Sequence, residues 1–383
     1  MQKPTLYIDI TLYAQNRLNT GIQRVVKEFL RRAIKDDFAL HVLYASDEFT
    51  FELLDIKEVE AFLNDTKEYQ FKSCSPIDIY NQKASNKIFF DIDSVWNSHN
   101  QRELLYKKLK NYNFKICNFI YDLIPILFPH FIHEKTKRTF LPYLKAIYIY
   151  SDLLFFDSHS AKDDFLKIQN SLGYTKQIKT KVTHLGSDFI FAPTPQKEKY
   201  KNILESRYIL FVGTLEPRKQ QALVLEAFEI LHQTYPELHL VFIGKVGWDV
   251  EKLAMHLSTH PLKNKNIHYL RDVDDADLEN FYKNAFIVTY LSYYEGYGLP
   301  VAESLKYANI TIVSNNSSLP EVGKDFVEYI ENNSKTQLIE ILTAYIKNTQ
   351  KYNAKKEYIA KNYKNISWDY FYNSLTPSLK SLN

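Results

Sequence analysis

The stretch RYILFVGTLEPRKQQALVLEAFEILHQTYPELHLVFIG, residues 207–244, decides the fold. Two short apolar runs, at 207–213 and 238–244, flank a segment whose apolar residues recur at helical spacing over 218–233. Short runs rich in Val, Ile and Phe that alternate with helices are typical of parallel sheets covered by helices on both faces. The stretch therefore predicts a strand, a helix and a parallel strand of an α/β domain.

The same alternation continues along the chain in both directions. Further strands are predicted at 5–11, 39–46, 87–93, 115–123, 153–158, 181–186, 266–270, 285–292 and 310–314. Further helices are predicted at 20–34, 101–111, 134–149, 160–170, 248–257, 275–284 and 300–307. The pattern indicates an α/β protein built from Rossmann-like units.

Length indicates that these units form two domains, because 383 residues exceed one ordinary core. A linker is predicted near 190–205, where two prolines and a charge cluster interrupt the apolar periodicity. We therefore expect a first domain at 1–192 and a second at 205–365. The last stretch, 366–383, reads as an amphipathic helix that packs back on the first domain.

Composition restricts the class of protein. The net charge of +3 comes from lysines spread along the chain rather than gathered in a stripe, which disfavours a nucleic-acid partner. Two cysteines, Cys74 and Cys117, cannot form a disulfide framework and fit a reducing compartment. We find neither a signal peptide nor an apolar stretch of membrane-spanning length. A cytoplasmic protein is expected, and peripheral contact with the inner face of the membrane stays open.

Glycine is scarce, with only 9 residues, so each one is expected to mark a backbone position with a special requirement. Gly213 and Gly244 each end an apolar run, and Gly296 and Gly298 closely follow another. Open α/β sheets bind ligands at the carboxyl ends of their strands. The glycines therefore point to a ligand site in the second half.

The segment YEGYGLPVAES, residues 294–304, has the features of an anion site. Pro300 suits the first turn of a helix, which places Glu295 in the preceding loop and Glu303 about one turn inside the helix. Backbone amides and the helix N-terminus would then face one spot, which suits a diphosphate. The two carboxylates could accept hydrogen bonds from the hydroxyls of a sugar and of a ribose.

Arg218 and Lys219 are predicted to begin the helix that follows the strand at 207–213. Cations are disfavoured at a helix N-terminus, so a bound diphosphate would explain two of them there. Arg can hold phosphate through two hydrogen bonds, and Lys acts as a point charge. The simpler alternative is a pair of solvated cations.

The segment from Glu295 to Glu303 resembles the E-x7-E signature of the retaining glycosyltransferases of sequence family 4, which have the GT-B fold. The stretch at 211–228 is similar to the diphosphate-binding motif of the same family. The resemblance implies two Rossmann-like domains whose parallel sheets face each other across a cleft. It also implies that Glu295 contacts the donor sugar, that Glu303 contacts the ribose, and that Arg218 and Lys219 neutralise the leaving diphosphate.

The resemblance extends to the rest of the donor site. The residues it implies are Gly213, Thr214, Val273, Gly296, Tyr297, Gly298 and Leu299. Some relatives carry another basic residue after the glycine of the first strand. This chain has Thr214 and Leu215 there, so most of the charge falls to Arg218 and Lys219.

Motifs in the first half resemble the branch of family 4 that builds bacterial O-antigen and capsule chains, often with mannose. They are Asp9, TGIQR at 20–24, DIDSVW at 91–96 and YDLIP at 121–125. Asp122 is a catalytic candidate together with Glu295, Arg218 and Lys219; it would contact the donor sugar or the acceptor hydroxyl, and its alternative role is a strand-end cap or turn former. The candidates for the acceptor side are Gly21, Arg24, Asp93 and Trp96, and the last two could instead be structural.

No metal and no cofactor are expected. Asp91 and Asp93 form a D-x-D pair, which binds a divalent ion in GT-A transferases, but the family resembled here uses cationic side chains instead. None of the 11 histidines is predicted to join a metal cluster. Ser158 and Ser160 are predicted to cap a helix. Motifs of hydrolases and P-loop NTPases are absent from the sequence.

The resemblance implies a retaining transfer of a hexose from a nucleoside-diphosphate sugar, with GDP-mannose first, to a hydroxyl of a growing, lipid-linked surface polysaccharide. Because no carboxylate stands as a clear nucleophile, a front-face route is expected. Three alternatives stay open: another donor such as a UDP-hexosamine or a deoxyhexose, a GT-B sugar epimerase, and a non-catalytic subunit of a polysaccharide synthase.

Overall fold

A computed structural model describes residues 3–16, 20–64, 71–84, 86–98, 101–189 and 197–382 of the chain. They divide into two compact units, Met1–Gly186 with Ser367–Asn383, and Ser187–Ile366. Part of the predicted linker, 190–196, lies outside the described residues. The prediction is wrong for the rest of the linker, because residues 198–204 form helical turns whose Tyr200 and Leu204 are buried in the core of the second unit.

The first unit is built around an eight-stranded sheet with the order β4-β3-β2-β1-β5-β6-β7-β8. Its strands are β1 (Thr5–Asp9), β2 (Ala39–Ala45), β3 (Phe51–Leu54), β4 (Cys74–Ile77), β5 (Lys87–Asp91), β6 (Phe114–Ile120), β7 (Leu153–Phe156) and β8 (Lys179–Val182). Its helices are α1 (Thr11–Asn16), α2 (Gly21–Ala33), α3 (Ile56–Asn64), α4 (Arg102–Asn111), α5 (Ile124–Leu127), α6 (Glu134–Tyr150) and α7 (His159–Ser171).

Six strands of this sheet pair in parallel, as the sequence predicts, and two more join it through antiparallel pairs. Strand β3 pairs antiparallel with β2, and β4 pairs antiparallel with β3. Neither strand is predicted from the sequence, because each has four residues and β4 is mostly exposed and contains Pro76. Proline is tolerated there because β4 is an edge strand.

The second unit has a six-stranded, wholly parallel sheet with the order β11-β10-β9-β12-β13-β14. Its strands are β9 (Arg207–Val212), β10 (Leu238–Ile243), β11 (Ile267–Leu270), β12 (Ile287–Tyr290), β13 (Ile310–Ser314) and β14 (Glu328–Ile330). Its helices are α8 (Lys201–Leu204), α9 (Gln221–His232), α10 (Glu251–Thr259), α11 (Asp275–Asn284), α12 (Leu299–Lys306), α13 (Leu319–Gly323), α14 (Lys335–Lys347) and α15 (Thr349–Asn362). This strand order is that of a Rossmann fold, in which the direction of winding reverses between the first and fourth strands, here β9 and β12.

The C-terminal helix α16 (Trp368–Lys380) belongs to the first unit. Its apolar face is buried, and Tyr372 packs on Phe29 of α2 with ring centroids 5.2 Å apart. Gly186 allows the close approach of the chain to this helix, because a Cβ at that position would lie 2.5 Å from the backbone nitrogen of Trp368. Among the described residues, no helix is both long and apolar enough to cross a membrane.

Candidate functional site

The reversal point of the second sheet brings two loops together. One loop follows β9 and begins at Gly213, and the other follows β12 and leads to α12. Gly244, at the end of β10, leaves room for the first loop, because a Cβ there would lie 2.2 Å from the carbonyl oxygen of Gly213. In Rossmann folds this crevice is where ligands bind.

The loop after β9 does not lead directly into a helix at 218, so that prediction is wrong. Pro217, Arg218 and Lys219 form a 3-10 turn, and α9 begins at Gln221. Gln220 separates the two with a left-handed conformation, φ 50°. Its side chain holds this conformation by accepting a hydrogen bond from the amide of Asn333 at 3.0 Å. The two cations are thus placed just before the helix N-terminus, not within the first turn.

Arg218 is buried and its guanidinium is engaged by the protein on several sides. Its Nη1 donates to Glu295 Oε1 at 2.6 Å and to Ser292 Oγ at 3.1 Å. Nη1 also donates to the carbonyl of Tyr294. Its Nη2 donates to Glu216 Oε2 at 3.1 Å. The guanidinium therefore ties the loop after β9 to the loop after β12.

Lys219 is held less tightly. Its Nζ donates to the hydroxyl of Tyr290 at 2.8 Å and lies 3.5 Å from Glu295 Oε1. Burial, the largest single influence, would lower the pKa of Lys219, but Glu295, Tyr290 and Glu216 together outweigh burial and raise it. The ammonium therefore stays charged. Gly213 faces it without a side chain, and a Cβ there would lie 3.4 Å from Nζ.

Glu295 is the carboxylate at the centre of this cluster. Burial would raise its pKa, but Arg218 and then Lys219 lower it, so the group is ionised at neutral pH. Its backbone amide donates to Ser317 Oγ at 2.9 Å. Ser318 Oγ donates to the carbonyl of Glu295 at 3.0 Å. The loop is thus fixed from the start of α13, and its carboxylate has a defined position.

The turn into α12 contains the glycine bend and the proline in the first helical turn that the sequence predicts. Gly298 has φ 98°, a left-handed conformation that a side chain would strain. A Cβ at this position would also lie 2.7 Å from Leu319 Cδ2. Helix α12 begins at Leu299 with Pro300 in its first turn, as predicted. Tyr297, which precedes the turn, is buried.

Glu303 lies one turn inside α12 and is buried, with 2% of its surface exposed. The hydroxyl of Tyr282 donates to its Oε2 at 2.9 Å. Two further residues, Thr214 and Val273, are predicted to contact the donor. Thr214 is half-buried, and its carbonyl accepts a hydrogen bond from Gln221 Nε2 at 2.7 Å. Val273 is partly buried in the loop after β11, against the core.

In the first unit, Asp91 is part of a closed structural network. The guanidinium of Arg102 donates to Asp91 Oδ2 at 2.9 Å and to Asp9 Oδ2 at 2.7 Å. Tyr106 donates to Asp91 Oδ2 at 2.5 Å. All four side chains are at most 3% exposed. Asp91 is therefore a core residue whose two carboxylate oxygens are both hydrogen-bonded within the protein.

The four candidates for the acceptor side differ in burial, from buried Asp93 to exposed Gly21. Asp93 is 1% exposed, and its Oδ1 accepts from Gln23 Nε2 at 3.2 Å, while its Oδ2 has no partner among the described residues. Gly21, the first residue of α2, is exposed, and a Cβ there would meet no described atom within 4 Å. Arg24 is half-buried one turn later. Trp96 packs edge-on against Phe140 with centroids 5.3 Å apart, which favours its structural alternative.

Asp122 is half-buried, and its Oδ1 accepts a hydrogen bond from the amide of Ile124 at 3.0 Å. It therefore fills the alternative role of a cap at a strand end, whatever else it contacts. Ser158 caps α7 by accepting from the amide of Ala161 at 3.0 Å, as predicted. Ser160 lies within the first turn of the same helix.

Three residues of the donor-side cluster were missed by sequence reasoning. Tyr290 supports Lys219, Tyr282 supports Glu303, and Glu216 shares Arg218 with Glu295. Glu216 could have been found, because it belongs to the same E-P-R-K run. The two tyrosines are indistinguishable in sequence from the other apolar-run tyrosines of a chain with 29 of them.

Comparison with known proteins agrees with this geometry. A family model described as "Glycosyl transferases group 1" matches residues 194–363. This range includes both loops and the charged residues Glu216, Arg218, Lys219 and Glu295. The chain contains a glycosyl transferases group 1 domain. This domain lies within the second unit, so the sheet and the two charged loops described above belong to it.

Two relatives are similar in sequence to this chain, one over most of its length and one over about a third of it. The serotype-specific mannosyltransferase WbdA of Escherichia coli is 22% identical over 355 residues, which are 89% of this chain and 41% of WbdA. The O-antigen chain mannosyltransferase B of E. coli is 35% identical over 132 residues, which are 34% of each protein. The chain thus spans about two fifths of the length of WbdA.

The fold extends beyond the glycosyl transferases group 1 domain. The crystal structure of Anabaena Alr3699/HepE in complex with UDP and glucose matches all of this chain and all of its own, with a TM-score of 0.69 and 14% identity. The fold is therefore GT-B, with two parallel-sheet α/β domains, as the sequence predicts. The two strands β3 and β4, which join the first sheet through antiparallel pairs, are an addition to that prediction.

Proposed function

We propose that the chain is a retaining glycosyltransferase that moves mannose from GDP-mannose to a hydroxyl of a lipid-linked surface glycan. The observation that carries this proposal is the cluster of Arg218, Lys219 and Glu295 at the reversal point of the Rossmann sheet. It combines a charged lysine for a diphosphate with an ionised carboxylate for sugar hydroxyls. Cations and oriented amides of this kind stabilise a departing diphosphate.

The choice of donor rests on the relatives. WbdA and the O-antigen chain mannosyltransferase B are both named as mannosyltransferases. HepE, similar in fold at 14% identity, binds UDP and glucose. Because a fold can serve many substrates, the sequence relatives weigh more heavily in the choice of sugar. GDP-mannose is therefore the first donor to test, and UDP-glucose is the second.

The contacts of Arg218 and Lys219 give the two cations different proposed roles. Arg218 is bonded to two carboxylates and to a carbonyl, so it positions Glu295. Lys219 has only the hydroxyl of Tyr290 within hydrogen-bond distance among the described residues, and Glu295 beyond it. Lys219 is therefore the cation that we expect to turn toward the diphosphate, with the amides that precede α12 alongside.

The chemistry follows from the same contacts. Glu295 is paired with two cations, which makes it a poor nucleophile and suits it to accept hydrogen bonds from the donor sugar. A front-face transfer then requires the leaving diphosphate to help remove the proton of the acceptor hydroxyl. Catalysis would consist of positioning and of charge stabilisation at Lys219. Neither step requires a bound metal.

The first test is nucleotide binding by isothermal titration with GDP, UDP, dTDP and CMP. GDP should bind most tightly, and tighter binding of UDP would replace GDP-mannose with a UDP-sugar in the proposal. Turnover is then followed with GDP-mannose and a lipid-linked oligosaccharide, and the anomer of the product is read by NMR. An inverted anomer would contradict retention, and release of free sugar without transfer would favour the epimerase alternative.

Lys219→Met tests the cation directly. Removing one preorganised charge contact typically costs about 10²–10³ in turnover. We expect a loss of this size in kcat, with the cluster of Arg218 and Glu295 intact. Lys252→Met, on the exposed face of α10, is the matched control and should leave kcat unchanged. Near-normal turnover of Lys219→Met would remove Lys219 from the mechanism, and binding without turnover in the unmodified chain would favour a non-catalytic subunit.

A further inference from the structure

Glu229, His256 and His260 meet at the surface of the second unit. Glu229 Oε1 lies 3.2 Å from His256 Nε2 and 3.0 Å from His260 Nε2. The three potential ligand atoms all lie within 4.8 Å of one another. Sequence reasoning did not single out these histidines, although their four-residue spacing places them on one face of a helix end, beside the neighbouring α9.

The group is separate from the donor-side cluster. Glu229 lies eight residues past the start of α9, or about 12 Å along the helix axis. Lys219 lies before that start. A ligand held by Glu229 and the two histidines would therefore leave the loops after β9 and β12 untouched.

The distances suit a transition-metal ion. Zinc binds imidazole nitrogen and carboxylate oxygen at about 2.0–2.2 Å, so neighbouring ligand atoms of a tetrahedral site lie roughly 3.3 Å apart. Both distances from Glu229 Oε1 are close to that value. Two imidazoles and one carboxylate are the ligands of zinc, copper and nickel rather than of magnesium or calcium. A fourth position would be left for water.

The surroundings favour a cation at this place. Glu229 lies in the last turn of α9, His256 lies in the last turn of α10, and His260 is the C-cap of α10. Helix C-termini carry partial negative charge, so two of them face the group. His260 has a side chain that is only 9% exposed, and Glu229 is 31% exposed, which fixes two of the three ligands in place. His256 is half-exposed and leaves a path for entry.

We propose that Glu229, His256 and His260 bind one divalent transition-metal ion, with zinc as the ion of choice. The ion joins the C-terminal ends of α9 and α10 and stabilises the second unit. It takes no part in glycosyl transfer. The site is a property of this domain whether or not the proposed donor and reaction are correct.

Binding disturbs a backbone hydrogen bond, which gives the site a signature. The amide of Leu262 donates to His260 Nδ1 at 3.1 Å, which places the proton of the neutral imidazole on Nε2. A metal ion at Nε2 moves that proton to Nδ1, and the Leu262 hydrogen bond is lost. The loss of one such bond weakens binding by about fivefold. The amide resonance of Leu262 should therefore shift when the metal binds.

The experiment titrates the whole chain, freed of any affinity tag, with zinc chloride by calorimetry and with cobalt chloride by visible absorption. We expect one ion per chain, a tetrahedral cobalt spectrum and a shift of the Leu262 amide in an ¹⁵N-labelled sample. His256→Ala and Glu229→Gln should each lower the affinity by at least the roughly 10–100-fold seen when even outer partners of a metal site are removed. His130→Ala, an exposed histidine of the first unit, should change nothing.

Three outcomes would overturn the proposal. They are zinc affinity in the unmodified chain no greater than in His256→Ala, equal weakening by His130→Ala, and an unmoved Leu262 resonance at saturating zinc. Circular dichroism of the metal-free variants shows whether each is folded, and His256, being half-exposed, can be replaced with little effect on the core. Nucleotide binding by the same samples is expected to be independent of zinc. A lost nucleotide site with an intact zinc site would refute the proposed function alone.

Discussion

Replacing Arg218 with Met tests whether the buried ion pair holds the donor-side loops. Arg218 and Glu295 have side chains that are 10% and 9% exposed, and the bond between them is 2.6 Å. Removing one partner of a buried pair leaves the other charge without compensation, which costs about 3–5 kcal/mol. Lys219, 3.5 Å from Glu295, remains as a weaker partner. We therefore expect the lower end of that range, about 3 kcal/mol.

The assay is thermal denaturation of the unliganded chain at pH 7.5, followed by far-ultraviolet circular dichroism. For a unit of this size, 1 kcal/mol corresponds to about 2–4 °C, so the transition of the second unit should fall by roughly 6–12 °C. Arg138→Met is the matched control, because Arg138 pairs with Glu134 at 3.5 Å on the surface with 78% of its side chain exposed. An exposed pair of this kind contributes less than about 1 kcal/mol, so this variant should melt close to the unmodified chain.

A double-mutant cycle with Glu295→Gln isolates the pair from the other bonds of Arg218. Arg218→Met should cost less by about 1.5 kcal/mol or more when Glu295→Gln is already present, because no buried charge is then left unpaired. The pKa of Glu295 is lowered in the folded chain, so the contribution of its carboxylate is present above the ordinary Glu pKa and is lost as the pH falls below about 4.3. Effects that add within about 0.5 kcal/mol at pH 7.5 would refute the reasoning.

Further predictions concern three other positions, each measured by urea denaturation. Arg102→Met leaves Asp9 and Asp91 buried without their cation and should destabilise the first unit by about 3–5 kcal/mol, and a loss under about 1 kcal/mol would contradict the network. Gly298→Ala combines a left-handed φ of 98° with a Cβ 2.7 Å from Leu319 Cδ2, so it should cost about 1–3 kcal/mol and weaken nucleotide binding. Burial and then His239 lower the pKa of His268 to about 4, so the unfolded chain takes up a proton first and stability falls as the pH drops from about 6.5 to 4. His268→Gln should flatten that fall by up to about 3 kcal/mol, and an unchanged pH profile would contradict the assignment.

The parallel strands were predictable because burial on both faces selects continuous apolar runs, as at 207–213 and 238–244. The strands β3 and β4 were not, because a four-residue strand that is only partly buried carries too little pattern. The start of α9 was misplaced by three residues, from 218 to Gln221. A left-handed Gln220 has no sequence signature, since its conformation depends on a bond from Asn333, 113 positions away.

The residues of the candidate site could be predicted from the sequence, but the contacts among them could not. Glycine scarcity and the E-x7-E and E-P-R-K runs indicated Glu295, Glu303, Arg218 and Lys219 together. From the sequence alone, Arg218 and Lys219 were both expected to bind the diphosphate. Only the folded chain reveals that Arg218 is bonded to Glu295, which stands 77 residues away, while Lys219 is left mainly to a tyrosine hydroxyl.

The two sheets offer the same kind of crevice, and charge decides what each can accept. In the first unit the reversal between β1 and β5 is filled by Arg102, whose guanidinium is bonded to both Asp9 and Asp91. Because these bonds leave two carboxylates around one cation, an anion would meet net repulsion there. At the reversal in the second unit two cations stand beside two carboxylates, Glu216 and Glu295, and one of the cations is only loosely paired.

Under the proposed function, a diphosphate draws Lys219 away from Glu295 while Arg218 keeps that carboxylate in place. The freed lone pairs of Glu295 then become available to sugar hydroxyls at the moment the phosphates are bound. Charge on the donor's leaving group and recognition of its sugar are thus coupled through one carboxylate oxygen, Oε1, which both cations share. A nucleoside monophosphate or a free sugar would engage only half of this exchange, which favours an intact nucleoside-diphosphate sugar as the proposed ligand of the cluster.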